Sequence, residues 1–121
     1  MDDPRTLDPD PATSSSRERD RKLELGEWSE DIARTLAQKE GLDLTSDHLE
    51  VARFLRRYYL QNGLAEDGRE LSTALESEFD ARGGRRFLHQ LFPEGPVAQG
   101  SRIAGLPVPP YTEDASFGTA F

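Results

Sequence analysis

The chain has 121 residues, with 23 acidic and 15 basic side chains, so its length suits one small domain of net charge −8. Hydrophobic residues make up 35% of the chain, and the acidic balance disfavours a basic protein that coats nucleic acid. No apolar run approaches the roughly 20 residues of a membrane span, and Met1-Asp2-Asp3-Pro4 does not begin a secretory signal. We therefore expect a soluble cytoplasmic protein that does not bind membranes.

The sequence contains no cysteine. Disulfide bonds, thiolate metal sites and thiol nucleophiles are therefore excluded for this chain. His48 and His89 are too few for a His-rich metal site, and neither has a second catalytic residue beside it. We expect no metal, no cofactor and no enzymatic activity, and we expect His48 to pack or cap a helix.

The N-terminal residues differ in composition from the rest of the chain. Residues 1–22 combine prolines, a serine run and mixed charges with almost no aliphatic side chains, so we predict a disordered tail. Residues 23–106 show a helical pattern, and we predict a mostly α-helical domain of about five helices there. In the first helix, Trp28, Ile32 and Leu36 form one apolar stripe that ends before Gly41.

Four further helices are predicted from their capping and breaking residues. We expect them from Thr45 as N-cap to Asn62, over about residues 67–80, between Gly84 and Pro93, and from Pro96 to about Ala104. After Gly105, the prolines at positions 107, 109 and 110 favour extended backbone. Residues 107–121 are therefore predicted to form a Pro-rich flexible C-terminal arm.

Basic residues are clustered along this acidic chain. Residues 51–64 contain three arginines and no acidic residue, and residues 81–103 contain four arginines against one glutamate. Such clusters fit either a solvated helix face or a surface that attracts an acidic partner. The clustered residues of interest are Arg53, Arg56, Arg57, Arg85 and Arg86.

Two stretches carry a resemblance to a known family. They are residues 41–51 with the following Phe54-Leu55-Arg56-Arg57-Tyr58-Tyr59, and Leu91-Phe92-Pro93-Glu94-Gly95-Pro96 leading through Gln99 into Arg102-Ile103-Ala104-Gly105-Leu106-Pro107. Over roughly residues 28–109 the chain resembles the DsrC/TusE sulfur-relay family in motif order and spacing. The resemblance implies a compact helical array, an N-terminal β-hairpin and a flexible arm. Here the hairpin is expected to be reduced or absent, with Leu23-Glu24-Leu25 as a strand remnant.

The family carries sulfur on cysteines, and this chain lacks them. Ser101 stands where one family cysteine precedes the Arg-Ile-Ala-Gly-Leu-Pro motif, and the second falls at about Thr112. A hydroxyl is a far weaker acid than a thiol and cannot store sulfane sulfur. The resemblance therefore implies a cysteine-less, regulatory member that binds sulfite reductase or sulfur-relay proteins without carrying sulfur.

The resemblance also adds two residues to the candidates for partner binding. Arg102 matches the family's basic position, and Tyr111 lies on the arm that family members insert into their partners. Two alternatives remain open. One is a sulfur carrier in tRNA 2-thiolation or dissimilatory sulfur metabolism, as the family implies. The other is a DNA-binding transcriptional regulator, in which helices between Trp28 and Asn62 form a helix-turn-helix, although the net charge disfavours it. We expect a monomer.

Overall fold

The computed structural model describes residues 9–110, and side chains from residue 17 onward. This part of the chain forms six α-helices and one 3-10 helix and contains no β-strand, as the predicted mostly helical class requires. The α-helices are α1 (Pro9–Leu25), α2 (Glu30–Lys39), α3 (Ser46–Asn62), α4 (Gly68–Glu78), α5 (Gly84–Leu91) and α6 (Pro96–Ile103). The 3-10 helix Asp80–Arg82 joins α4 to α5. Among these residues, no helix combines the length and apolar character of a membrane span.

Helix α1 occupies positions that the sequence predicts to be a disordered tail. Residues 9–22 are helical, and Leu23-Glu24-Leu25 is the last part of this helix rather than a strand remnant. The charged residues from 17 to 22 are mostly good helix formers. In addition, Arg21 Nη1 donates a hydrogen bond of 2.6 Å to the carbonyl of Leu60 at the end of α3. Helix propensity and this contact offset the low hydrophobicity, so the helical body begins before residue 23.

Helices α2 and α3 both begin at side-chain caps. The Ser29 hydroxyl accepts a hydrogen bond from the backbone N–H of Ile32, so α2 begins after Trp28 rather than including it. At α3, Thr45 and His48 form a capping box, as the N-cap prediction for Thr45 requires. His48 Nδ1 accepts from the Thr45 N–H at 3.0 Å, and Nε2 lies 2.7 Å from the Leu91 carbonyl. The proton therefore belongs on Nε2, and the predicted capping role of His48 is confirmed.

The core lies between α3, α4, α5 and α6. Its largest fully buried apolar side chains are Leu55, Leu75, Leu88, Phe92 and Ile103. Helix α2 turns Ala33 and Ala37 to this core, whereas Ile32 and Leu36 of the predicted stripe are only half-buried. Small side chains let α2 approach α6 closely, which explains why the more apolar stripe lies at the margin.

The backbone beyond α6 stays against the helical body. Pro109 is buried, and the carbonyl of Pro110 accepts a 2.9 Å hydrogen bond from the N–H of Gly68 at the start of α4. Residues 107–110, the first part of the predicted flexible arm, are therefore anchored. Residues 111–121, which include Tyr111 and Thr112, lie outside the described part of the chain.

Candidate partner-docking site

Ser101 is sealed inside the protein. It lies on α6 with 1% of its surface exposed and lines a cavity of about 10 Å³ together with Tyr58, Leu106 and Pro109. In the part of the chain whose side chains are described, its Oγ is the buried side-chain polar atom with no hydrogen-bond partner. A serine nucleophile needs a base within hydrogen-bond reach, and this hydroxyl has none there. The site accommodates the hydroxyl but provides no base that would make it nucleophilic.

The root of the C-terminal arm is held by Trp28 and Arg56. Trp28 Nε1 donates to the Ile103 carbonyl at 3.0 Å, and Arg56 Nη1 donates to the Ala104 carbonyl at 2.8 Å. Both acceptors belong to the last turn of α6, where backbone carbonyls have no partner within the helix. The Arg56 guanidinium also lies 4.9 Å from the centre of the Trp28 ring. We call Trp28 and Arg56, with the two carbonyls that they cap, the arm-root clamp.

The clamp fixes the conformation of the next residue and the ionisation of Arg56. Gly105 has φ +70°, and a Cβ there would come within 3.1 Å of Trp28 Cδ1. Only glycine adopts this backbone freely and leaves the indole in place. Burial lowers the pKa of Arg56 from its ordinary value, yet the guanidinium stays cationic at neutral pH. The chain therefore leaves α6 in one direction, toward Gly68 at the start of α4.

Arg102 anchors the other side of α6. Its Nε and Nη2 contact the two carboxylate oxygens of Glu40 at 2.9 and 3.0 Å. Gln99 is 1% exposed, and its Nε2 donates to Glu40 Oε1 at 3.1 Å while its Oε1 accepts from the Glu94 N–H. A two-point pair of this kind fixes geometry as well as charge. It locks α6 to the end of α2, so Arg102 serves the scaffold of the arm.

The structure divides the predicted arginines into two groups. Arg56 caps the Ala104 carbonyl and Arg102 pairs with Glu40, so both contact the protein itself. The other four, Arg53 and Arg57 on α3 and Arg85 and Arg86 on α5, are exposed. The Arg57 guanidinium lies 5.8 Å from the centre of the Phe54 ring. The exposed arginines therefore lie at the surface, whereas Arg56 and Arg102 are held by contacts within the protein.

Sequence reasoning missed Trp28, Glu40 and Gln99 as parts of this site. Trp28 was assigned to a helix stripe, although a half-buried indole N–H usually finds an acceptor. Trp28 and Glu40 reach α6 across 59 to 75 residues of sequence, so no local pattern connects these two residues with that helix or with Gln99 on it.

Comparison with known proteins identifies the scaffold. The family model described as DsrC like protein matches residues 16–111. Sulfurtransferase TusE of Salmonella choleraesuis strain SC-B67 is 42% identical over 87 residues, which cover 71% of this chain and 80% of that protein. Sulfurtransferase TusE of Escherichia coli strain K12 is 41% identical over the same coverage.

Solved structures agree with this result. The NMR structure of Allochromatium vinosum DsrC is similar with a TM-score of 0.61 and 36% identity, covering 70% of this chain and 77% of that one. The crystal structure of the oxidized gamma-subunit of the dissimilatory sulfite reductase (DsrC) from Archaeoglobus fulgidus has a TM-score of 0.59 and 32% identity. That match covers 74% of this chain and 82% of the other. Motifs, helical fold and sequence identity lead to one conclusion: the chain belongs to the DsrC/TusE family.

Proposed function

We propose that this protein is a non-catalytic regulator or adaptor of sulfur metabolism, which docks on a sulfite reductase or a sulfur-relay protein without carrying sulfur. Its relatives are named sulfurtransferase and sulfite reductase gamma-subunit, which gives the class of partner. The family scaffold is preserved while the chemistry of the carrier is not. Such a protein would compete with a thiol-bearing relative for the same docking surface.

The observation that carries this proposal is the state of Ser101. The residue before the Arg-Ile-Ala-Gly-Leu-Pro motif is a buried hydroxyl with no base beside it, and the chain of 121 residues has no cysteine anywhere. A persulfide forms only on sulfur, because a thiolate must attack the donor and then hold the transferred atom. Docking is then the part of the family's function that this chain retains.

The arm root supports the docking part of the proposal. The clamp formed by Trp28 and Arg56 and the Arg102–Glu40 pair fix where the chain leaves α6. Three prolines follow within residues 107–110, where Pro109 is buried and the Pro110 carbonyl is bonded to Gly68, so this segment is already ordered before docking. A segment whose direction is fixed and whose backbone is restricted by prolines loses less conformational entropy on docking than a flexible tail would.

Competition binding tests the proposal directly. A fluorescently labelled DsrC or TusE relative from the same genome is bound to purified sulfite reductase or to a relay protein, and this chain is added as competitor. We expect displacement at micromolar concentrations, and loss of displacement in a chain truncated after Pro110. The truncated chain must keep its helical circular dichroism for the comparison to count. No displacement from any of these partners would contradict the proposal.

Mass spectrometry tests the absence of sulfur transfer. After incubation with a persulfide donor, the intact mass should stay unchanged, while a thiol-bearing relative treated in parallel gains one sulfur of about 32 Da. A stable adduct on this chain would instead support the sulfur-carrier alternative. Because this readout does not depend on docking, the two halves of the proposal can fail separately.

A further inference from the structure

A row of aromatic rings with stacked arginines runs across α3, α4 and α5. The Phe54 ring lies 6.0 Å from Phe79, and Phe79 lies 6.0 Å from Phe87. An arginine stacks at each end of this row. Arg57 lies over Phe54, and the Arg82 guanidinium lies 4.9 Å from the centre of the Phe87 ring. We call these residues, together with Arg53, which lies one helical turn before Arg57, the arginine–aromatic face.

Helix geometry separates this face from the arm root. Residues 50, 53, 54 and 57 recur at the spacing of one side of α3, whereas Leu55 and Arg56 turn to the core and the clamp. Phe54 and Phe87 are only partly buried, so their rings border solvent. The face is therefore a second surface, distinct from the arm-root clamp.

Charge on the face is left unbalanced. Arg82 forms ion pairs with the two nearby carboxylates, Asp47 and Glu50, on the first turns of α3. Arg53 has no carboxylate partner in the part of the chain whose side chains are described, and Arg57 contacts only a ring. This occurs in a chain where acids outnumber bases by 23 to 15. A guanidinium stacked on a ring keeps its N–H groups free for a carboxylate.

We propose that the arginine–aromatic face docks an acidic segment of a partner protein that also presents an aromatic or apolar side chain. Carboxylates would pair with Arg53 and Arg57, and the apolar side chain would cover Phe54 and Phe87. This inference rests on the proposed docking function for the identity of the partner, but not for the chemistry of the surface. It adds a second contact area to the one at the arm.

Fluorescence anisotropy with a labelled oligoglutamate peptide that contains one central tryptophan tests the proposal. The double variant Arg53→Glu/Arg57→Glu should bind this probe at least about tenfold more weakly than the full wild-type chain. A matched control, Lys39→Glu/Arg69→Glu, makes the same charge change at exposed positions on α2 and α4 and should change binding less than about twofold. Arg57→Lys, which keeps the charge but loses the planar fork, should give an intermediate loss.

Three results would overturn the inference. An equal loss of peptide affinity in both double variants would assign the effect to net charge. Circular dichroism of each variant, recorded beforehand, detects a folding defect. Binding of duplex DNA that depends on Arg53 and Arg57, with no binding of the peptide, would make the face a phosphate surface. A chain truncated after Pro110 that binds the peptide several-fold more tightly would assign the face to the chain's own C-terminal residues.

The inference and the proposed function can be told apart. If the double variant loses the peptide, but the wild-type chain displaces the labelled relative from no sulfite reductase or relay protein, the face stands and the proposed function falls. If such a partner binds the double variant as well as the wild type, and truncation after Pro110 abolishes that binding, the proposed function stands and the face falls.

Discussion

Replacing Ser101 by alanine should stabilise the protein, although Ser101 is among the most buried residues. An unsatisfied buried hydroxyl costs about 1–3 kcal/mol of folding free energy. Removing it enlarges a cavity of about 10 Å³ by one oxygen, and at about 24 cal/mol per Å³ this void costs roughly 0.2–0.5 kcal/mol. Alanine also gains about 0.5 kcal/mol of helix propensity in α6. The net expectation is a gain of about 1–3 kcal/mol.

Urea denaturation and calorimetry measure this gain. The melting temperature of the Ser101→Ala variant should rise by about 5 °C or more. Ser77→Ala, an exposed serine on α4, is the matched control because it changes helix propensity alone. If Ser101→Ala were neutral or destabilising relative to this control, a water bound in the cavity would satisfy the hydroxyl, and the reasoning from an unpartnered group would be wrong.

Three other substitutions test the arm root and its surroundings. Gly105→Ala should lower the free energy of unfolding by about 1–2 kcal/mol, because alanine is strained at φ +70° and its Cβ meets Trp28. An unchanged midpoint of urea unfolding would show that the indole moves aside. Glu40→Gln should cost about 1 kcal/mol and make stability less sensitive to salt, since Arg102 loses its ionic partner; equal salt dependence in both proteins would contradict this. Burial first, and then the charge and hydrogen bond of Glu70, raise the pKa of Tyr58 above 10.0. The stability that its protonated phenol contributes is therefore present below pH 10.0 and is lost as the pH rises further. In an ultraviolet titration, Glu70→Gln should move the pKa of Tyr58 back toward 10.0 but not below it.

Local sequence signals account for most of the helix boundaries. Thr45, Asp67 and Pro96 begin α3, α4 and α6 as side-chain caps or as a first-turn proline, and these functions act within one turn. The prediction from composition is wrong at α1, where few apolar side chains indicate disorder but the backbone is helical. This helix rests on the propensity of charged residues, on the contact of Arg21 with α3 and on the packing of Leu25 against the core.

The candidate site was harder to predict than the helices. Family motifs led to Ser101 and Arg102, but they did not show which arginines turn inward. Arg56 and Arg57 are neighbours in a single basic cluster, yet one caps α6 while the other stacks on Phe54 at the surface. The register of α3 against the core separates them, and that register depends on packing with α1 and α6. The tail positions Tyr111 and Thr112 stay predictions.

The capping of α6 by Trp28 and Arg56 also bears on the order of folding. The two donors precede their acceptors by 75 and 48 residues, so both contacts close long loops and carry a large entropic cost. We predict that these two capping contacts form after the folding transition state, which φ-values of Trp28 and Arg56 near zero would show. Their loss would then accelerate unfolding and leave the folding rate nearly unchanged. The direction of the C-terminal arm would be the last feature of the described fold to form and the first to be released.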